Sequence, residues 1–157
     1  MRRGLTLGKY APLHRGHQLV IETALAEMDE VVVIIYNSPD VTPIPLTVRS
    51  QWIRTIYPTV QVVEAWDGPT DVGDTPEIKQ AHEDYILNVL KIRDITHFYS
   101  SEFYGEHMSV ALGAINRLVD IDRQAVPISG TIIRNDPSGH RPYLDERVYW
   151  DLIAFRA

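Results

Sequence analysis

Short apolar runs and longer amphipathic runs follow one another at the start of the chain. Residues 5–7 are an apolar run that stops at Gly8, which predicts a strand followed by a turn. The β-branched run at residues 31–36 is typical of a strand buried on both faces of a parallel sheet. Between them, from His17 to near Asp29, apolar side chains recur at the spacing of one helical face, at Val20, Ile21, Ala24, Leu25 and Met28. Strand, helix and strand in this order predict a right-handed βαβ unit.

The rest of the chain continues this alternation. Three more strands are predicted, at residues 60–65, 97–100 and 117–121. Helices are predicted over residues 47–57 with Thr47 as the N-cap, over 76–90, over 108–114, in a short turn after residue 128 and in a C-terminal segment around 149–153. We therefore expect one α/β domain over residues 1–157, in which a five-stranded parallel sheet is flanked by helices.

Composition and charge narrow the classes of protein that this domain fits. The 157 residues carry a formal net charge of −6 with a pI near 5.4, which argues against a general nucleic-acid binder. The absence of cysteine excludes disulfides and thiolate chemistry and is compatible with a reducing cytoplasm. The longest apolar run is too short to cross a bilayer, and the N-terminus lacks the apolar segment of a signal peptide. These features predict a soluble, cytoplasmic protein with neither a nucleic-acid nor a membrane partner.

The turn between the first strand and the first helix carries the strongest candidate chemistry. His14 and His17 lie at the predicted helix start, where unpaired backbone N–H groups and the helix dipole stabilise an anion, and Lys9 adds a cation. The turn contains only Gly8 and Gly16, so it lacks the spacing of a dinucleotide fingerprint, and no P-loop motif occurs in the chain. No third ligand stands at helical spacing from the histidines, which disfavours a metal site. The pattern predicts a phosphate site, and capping or packing is the alternative for either histidine alone.

Two signatures at opposite ends of the chain support this interpretation. Residues 8–17 read G-K-Y-A-P-L-H-R-G-H and residues 128–134 read I-S-G-T-I-I-R. They resemble the G-x-F-x-P-x-H-x-G-H and I-S-x-T-x-x-R motifs of the H-x-G-H superfamily of nucleotidyltransferases. The resemblance implies a Rossmann-like three-layer nucleotidyltransferase fold. It also implies transfer of a nucleotidyl group from a nucleoside triphosphate to a phosphate or carboxylate acceptor, with release of pyrophosphate and usually with Mg²⁺.

The first signature implies donors to the phosphates. By the resemblance, His14 and His17 donate to the triphosphate, and Lys9 offers a flexible cation to the acceptor or the α-phosphate. This set suits in-line attack at phosphorus, because that reaction needs positioned donors more than it needs a nucleophile on the protein. The nucleotide-binding residues of this signature also include Gly8, Tyr10 and Gly16.

The second signature implies the other half of a triphosphate clamp. Ser129 and Thr131 bind the β- and γ-phosphates through their hydroxyls and the backbone of their helix start, and Arg134 holds the leaving pyrophosphate. The alternative for Ser129 and Thr131 is helix capping, and for Arg134 it is pairing with the C-terminal dipole of a short helix.

A third stretch indicates the acceptor. Residues 98–105 read F-Y-S-S-E-F-Y-G and resemble the Y-T-S-E-x-Y-G stretch of the adenylyltransferase domain in bifunctional nicotinamide-nucleotide adenylyltransferase/ribosylnicotinamide kinase proteins. Residues 49–53, R-S-Q-W-I, resemble the R-x-x-W-L helix of the same domain. This resemblance adds Arg49, Ser101 and Glu102 to the nucleotide-binding residues. It implies ATP, with Mg²⁺, and nicotinamide mononucleotide as partners, and it leaves open whether the chain forms a homo-oligomer.

One position departs from this pattern. In relatives, a tryptophan in the third helix stacks on the nicotinamide ring, whereas this chain has His82 at that position. Trp66, next to the acidic loop of residues 67–75, is either a substitute aromatic face or a packing residue. Adenylyl or cytidylyl transfer to another phosphorylated acceptor, such as phosphopantetheine or glycerol phosphate, is the enzymatic alternative. A nucleotide-binding sensor without turnover is the non-enzymatic one.

Overall fold

Strands and helices alternate along the chain in the computed structural model, which describes residues 1–71, 73–101 and 105–156. The strands are β1 (Arg3–Gly8), β2 (Glu30–Tyr36), β3 (Gln61–Ala65), β4 (His97–Ser100) and β5 (Ile115–Leu118). The helices are α1 (Arg15–Glu27), α2 (Leu46–Ile56), α3 (Pro76–Asp84), α4 (Glu106–Leu112), α5 (Gly130–Asn135) and α6 (Glu146–Arg156). A π-helical turn, Tyr85–Val89, continues α3, and a 3-10 segment, Ser138–Tyr143, precedes α6. No helix among the described residues is long and apolar enough to cross a membrane.

The five strands form one parallel sheet in the order β3-β2-β1-β4-β5, which confirms the predicted fold class. Strand β1 lies at the centre and pairs with β2 through Gly8 opposite Ile35 and with β4 through Gly4 opposite His97. The strand order therefore reverses at the β1/β4 boundary. In open parallel sheets the carboxyl ends of strands diverge at such a point and leave a crevice for a ligand.

The hydrophobic core is divided into two layers by the sheet. Successive side chains of β2 belong to different clusters, with Val33 and Ile35 packed in one and Val32 and Ile34 in the other. This alternation follows from the two-residue period of a strand and requires helices on both faces. The result is the three-layer arrangement that the resemblance implies.

Two boundaries differ from the sequence prediction at helix starts. Helix α2 begins at Leu46 with Pro45 as its N-cap and without a side-chain cap, so the assignment of Thr47 as N-cap is wrong. Thr47 already lies inside the first turn, because Pro45 ends the extended segment before it. Helix α1 begins at Arg15, two residues earlier than His17, because the ring of His14 provides the N-cap.

The fifth strand and the third helix also end earlier than predicted. Strand β5 covers Ile115–Leu118 instead of residues 117–121, since its register pairs Ile115 with His97 and the chain turns away at Asp120, whose φ is 49°. The predicted helix over 76–90 changes from α to π geometry at Tyr85, where the hydrogen bond of Leu90 N reaches back to Tyr85 O.

Candidate active site

A cavity of about 470 Å³ lies at the carboxyl ends of β1, β2 and β4, at the reversal of strand order. Both signature segments line it. The predicted site residues in its wall are Gly8, Lys9, Tyr10, His14, Gly16, His17, Ser101, Ser129, Thr131 and Arg134. Glu102 lies outside the described residues. Arg49 lies behind the wall rather than in it.

His14 and His17 cap the start of α1 reciprocally. Nδ1 of His14 accepts from the backbone N–H groups of Gly16 at 3.0 Å and His17 at 3.4 Å, and Nδ1 of His17 accepts from the backbone N–H of His14 at 3.2 Å. This is a capping box in which histidines replace the usual serine and glutamate. Because a backbone N–H can only donate, each neutral ring carries its proton on Nε2. The pair therefore offers two Nε2–H donors.

The surroundings keep both rings neutral. His14 is 5% exposed, and burial, followed by the positive charge of Arg123, lowers its pKa from 6.5 to about 4. Burial, then His14, then Arg123 hold the pKa of His17 well below its usual value. A charged form would also lose an Nδ1 acceptor and so break the cap. The helix start therefore presents uncharged donors, and the positive charge at the site must come from other side chains.

Tight packing restricts the orientation of the pair. The ring of Tyr10 meets the ring of His17 edge-on with centroids 4.7 Å apart, and burial raises the pKa of Tyr10, which keeps its hydroxyl protonated. A Cβ on Gly16 would lie 2.8 Å from Cε1 of His14, closer than carbon atoms approach without displacement. The glycine of the signature is thus needed for the ring of His14 to stand over the helix start.

A direct bond joins the two signatures. Nη1 of Arg134 donates to the backbone oxygen of Ala11 at 2.6 Å, and Nη2 donates to Oγ1 of Thr131 at 3.3 Å. Ser129 is the N-cap of α5, since its hydroxyl accepts from Ile132 N at 3.4 Å. Ser129 therefore caps the helix, which is the alternative role considered from the sequence, and it also lines the cavity. Arg134 thus bonds both to the other signature and to its own helix.

Arg49 is a positioning residue for the cavity. It is 1% exposed, and its guanidinium donates to the backbone oxygens of Ile44 at 3.0 Å, Lys9 at 2.6 Å and Tyr36 at 2.9 Å. Burial lowers its pKa to about 10, so it remains charged at neutral pH. It ties the ends of β1 and β2 to the segment before α2, and the structure gives it no place in the cavity wall.

The far end of the cavity contains residues that the sequence patterns did not single out as a group. His82 presents its ring edge to Tyr36 with centroids 5.9 Å apart, and its Nε2 lies 2.9 Å from the backbone oxygen of Asp71. His107 is paired through Nδ1 with Glu83 at 3.2 Å. Tyr36, Lys79, His82 and His107 all line the cavity. They come from β2, α3 and α4, and no local motif connects them.

Two further placements bear on the sequence interpretation. Trp66 is 52% exposed, its Nε1 donates to Glu64 Oε1 at 3.3 Å, and it lies outside the cavity wall, whereas His82 lies within it. Arg123, in the connection between β5 and α5, also lines the cavity and was not among the predicted residues. A cation eleven residues before Arg134 has no motif spacing, so only its fold position reveals it.

Comparison with known proteins identifies the family. The profile described as cytidylyltransferase-like matches residues 5–136. No curated protein sequence gives a significant match. Among solved structures, NadR protein in complex with NAD and AMP-PNP superposes with a TM-score of 0.68 at 20% identity, over 93% of this chain and 45% of that one.

Two other solved structures share the fold. NadR protein in complex with NR has a TM-score of 0.68 at 21% identity, over 93% of this chain and 44% of the other. The third is a bifunctional NMN adenylyltransferase/ADP ribose pyrophosphatase from Francisella tularensis, complexed with AMP and a manganese ion. Its TM-score is 0.53 at 18% identity, over 98% of this chain and 52% of the other. This chain thus spans about half the length of these proteins. The family match over most of the chain shows that it belongs to the cytidylyltransferase-like family of nucleotidyltransferases.

Proposed function

We propose that this protein transfers an adenylyl group from ATP to nicotinamide mononucleotide, giving NAD and pyrophosphate, and that residues 1–157 act as a single domain. The observation that carries the proposal is the convergence of both signatures on one cavity, where Arg134 of the second donates to Ala11 of the first at 2.6 Å. A triphosphate placed there meets donors from both sides.

The reaction needs only positioning and charge stabilisation from the chain. An oxygen of the acceptor phosphate forms a bond to the α-phosphorus, the bond from that phosphorus to the bridging oxygen breaks, and the electron pair leaves on pyrophosphate. The Nε2–H groups of His14 and His17 donate to the oxygens on which negative charge develops. Lys9 supplies a cation to the acceptor or the α-phosphate. No proton has to be removed from an ionised phosphate acceptor.

The second signature holds the leaving group. Ser129 and Thr131 present hydroxyls toward the β- and γ-phosphates, and Arg134 stabilises the pyrophosphate. The assignment of Glu102 to nucleotide binding stays a prediction. Among the described residues no group of three histidine or acidic side chains is placed to hold a metal ion. Mg²⁺ would accordingly be carried on the phosphate oxygens of ATP, where it neutralises charge.

The far end of the cavity supports a mononucleotide acceptor with a flat base. Tyr36 and His82 form an edge-to-face pair there, and Lys79 and His107 add polar groups. The relatives support the same substrates, since NadR is complexed with NAD and AMP-PNP and the Francisella protein with AMP and manganese.

A pyrophosphate-release screen tests the proposal. ATP and CTP are each offered with nicotinamide mononucleotide, nicotinate mononucleotide, phosphopantetheine, flavin mononucleotide and glycerol 3-phosphate. We expect release with ATP and nicotinamide mononucleotide, and its loss in His17→Ala at unchanged fold. Turnover with CTP, or with another acceptor only, would overturn the substrate assignment. Binding of ATP without release from any pair would indicate a sensor, and full turnover in His17→Ala would overturn the role of the histidine.

A further inference from the structure

Tyr36, the last residue of β2, has a hydroxyl that makes no hydrogen bond within the described part of the chain. The residue is 7% exposed and lines the cavity, and its hydroxyl oxygen is buried. Folded proteins satisfy the large majority of buried polar atoms, because an unpaired hydroxyl loses its bonds to water and gains none in return. A hydroxyl of this kind in the wall of a substrate cavity is suited to a partner that comes with the substrate.

Neighbouring groups restrict the position of this side chain. The backbone oxygen of Tyr36 accepts from Arg49 Nη1 at 2.9 Å. A Cβ on Gly68 would lie 2.8 Å from Cδ1 and Cε1 of the Tyr36 ring, so the chain after β3 packs closely on that ring. The ring centroids of His82 and Tyr85 are 5.9 Å and 6.3 Å away. The hydroxyl is therefore already in place in the free protein and loses little conformational freedom when a ligand binds.

The hydroxyl of Tyr36 is protonated at neutral pH. Burial, followed by the neighbouring Tyr85, raises its pKa. A protonated phenol donates one hydrogen bond and can also accept, so it suits a ligand group that has both donors and acceptors. The hydroxyl of Tyr85 is not equivalent, because it already donates to Asp67 Oδ1 at 2.7 Å.

The charged side chains in this part of the wall disfavour an anionic ligand group. Helix α3, which contacts Tyr36 through His82, also places Lys79 in the wall, where its Nζ lies 2.8 Å from Asp74 Oδ1. His107 of α4 faces Glu83 at 3.2 Å. A substrate carboxylate would leave water and then share these side chains with carboxylates of the chain, which is costly. An uncharged amide avoids that cost.

We propose that the hydroxyl of Tyr36 binds the carboxamide of the pyridine base of the acceptor, and that this uncharged group is preferred to the carboxylate of a nicotinate base. The inference rests on the transfer to nicotinamide mononucleotide proposed above and names the substrate group that one side chain recognises. The carboxamide oxygen accepts from the hydroxyl, and the carboxamide N–H groups donate to the hydroxyl oxygen or to acceptors beside it.

Binding requires a neighbour of Tyr36 to move, since the hydroxyl oxygen is closed off from water in the free protein. His82 is a suitable neighbour, because the single hydrogen bond that its ring makes within the described residues goes to the backbone oxygen of Asp71, at 2.9 Å. Its ring can turn without disturbing the buried core. We therefore expect the entering base to displace His82 from Asp71.

The test compares Tyr36→Phe with the control Tyr99→Phe. Tyr99 is another buried tyrosine, but it lies outside the cavity wall and its hydroxyl donates to Glu27 Oε1 at 2.7 Å. Steady-state kinetics and calorimetry are carried out with nicotinamide mononucleotide, nicotinate mononucleotide and a pyridine mononucleotide that lacks the carboxamide. Loss of one uncharged hydrogen bond predicts KM and Kd for nicotinamide mononucleotide roughly 3- to 10-fold higher in Tyr36→Phe, with little change in kcat.

The other acceptors and the control make the expected result specific. Tyr36→Phe should leave Kd for the pyridine mononucleotide without a carboxamide unchanged, because the hydroxyl then has nothing to bind. The wild type should bind nicotinamide mononucleotide more tightly than nicotinate mononucleotide, and Tyr99→Phe should keep every constant. Urea unfolding distinguishes a structural role: Tyr36→Phe loses an unpartnered hydroxyl and should unfold at the same or a higher urea concentration, whereas Tyr99→Phe loses a bond and should unfold at a lower one.

Three results would overturn the inference. The first is an unchanged KM and Kd for nicotinamide mononucleotide in a folded Tyr36→Phe protein. The second is an equal rise in Kd for the acceptor without a carboxamide, which would mean that the hydroxyl contacts another part of the substrate. The third is tighter binding of nicotinate than of nicotinamide mononucleotide by the wild type. If the wild type binds nicotinamide mononucleotide without releasing pyrophosphate and Tyr36→Phe weakens that binding, the proposed function fails and the role of Tyr36 stands.

Discussion

The imidazole rings of His14 and His17 stack with their centroids 3.7 Å apart and cap each other's backbone. The same two side chains therefore start helix α1 and line the cavity. Because each ring uses Nδ1 for the cap and keeps Nε2–H as a further donor, substitutions can separate capping from the proposed donation to substrate.

We expect His14→Asn to fold as well as the wild type and to be nearly inactive. Asparagine is a favoured N-cap, and its side-chain oxygen replaces the Nδ1 acceptor for Gly16 N, but it lacks the Nε2–H donor. Removing one such donor costs about 3 kcal/mol in the transition state, or roughly 100-fold in kcat. His14→Ala should lose similar activity and about 1 kcal/mol of stability in addition. Thermal unfolding and pyrophosphate release measure the two effects. An active His14→Asn enzyme would contradict the donor role.

We expect Gly16→Ala to reduce turnover by displacing the ring of His14. Its Cβ would meet Cε1 of His14 at 2.8 Å and Nδ1 at 3.0 Å, so the ring must move away from its cap. A double-mutant cycle with His14→Ala checks this explanation, because the glycine substitution should have little further effect once the ring is gone. Additive losses of activity would show that Gly16 acts through something other than His14.

Stability should fall as the pH drops from 6.5 towards 4. The pKa of His14 is lower in the folded chain than in the unfolded one, so the unfolded chain binds more protons in this window and the free energy of unfolding decreases as the pH falls. A shift of the pKa from 6.5 to about 4 corresponds to a contribution on the order of 3 kcal/mol to the free energy of unfolding, and this contribution is fully present above pH 6.5. Denaturant unfolding of wild type and His14→Asn at pH 7, 5.5 and 4.5 measures it. The free energy of unfolding of the variant should depend less on pH than that of the wild type. An equal dependence in both proteins would show that His14 is not its cause.

Arg49→Lys should destabilise the protein by about 3 kcal/mol, because an ammonium group cannot span the three buried carbonyls that the guanidinium satisfies. Arg54→Lys is the matched control on the same helix, since Arg54 is 42% exposed and paired with Glu64 at the surface. Urea unfolding distinguishes the two substitutions. Equal stability of both variants would contradict the positioning role of Arg49.

His82→Ala should raise KM for the mononucleotide acceptor several-fold and leave KM for ATP unchanged. His82 lines the cavity from α3, with Nε2 2.9 Å from Asp71 O and its ring edge-on to Tyr36, and it belongs to neither signature. Trp66→Ala is the control, because this exposed ring lies outside the cavity wall and should affect neither constant. Steady-state kinetics with each substrate varied separately measure the split. If Trp66→Ala raised KM for the acceptor and His82→Ala did not, Trp66 would be the aromatic face for the acceptor.

Local sequence patterns were sufficient for the order of the elements and for both signatures. The two-residue and 3.6-residue periods depend on one segment at a time, so the five strands and the helix after Gly8 could be predicted before any contact was known. Boundaries were less predictable where a cap or a strand register decides them, as the histidine cap of α1 and the early end of β5 illustrate.

Only the folded chain decides which distant side chains share the cavity. Arg134 donates to Ala11, which lies 123 residues away in the sequence. Arg123 lines the cavity from a loop with two left-handed residues, and Arg49 is turned behind the wall although its helix resembles a known motif. Such placements depend on where strands end in the sheet and on which carbonyls need a donor. Both are properties of the assembled layers, and no spacing along one segment encodes them.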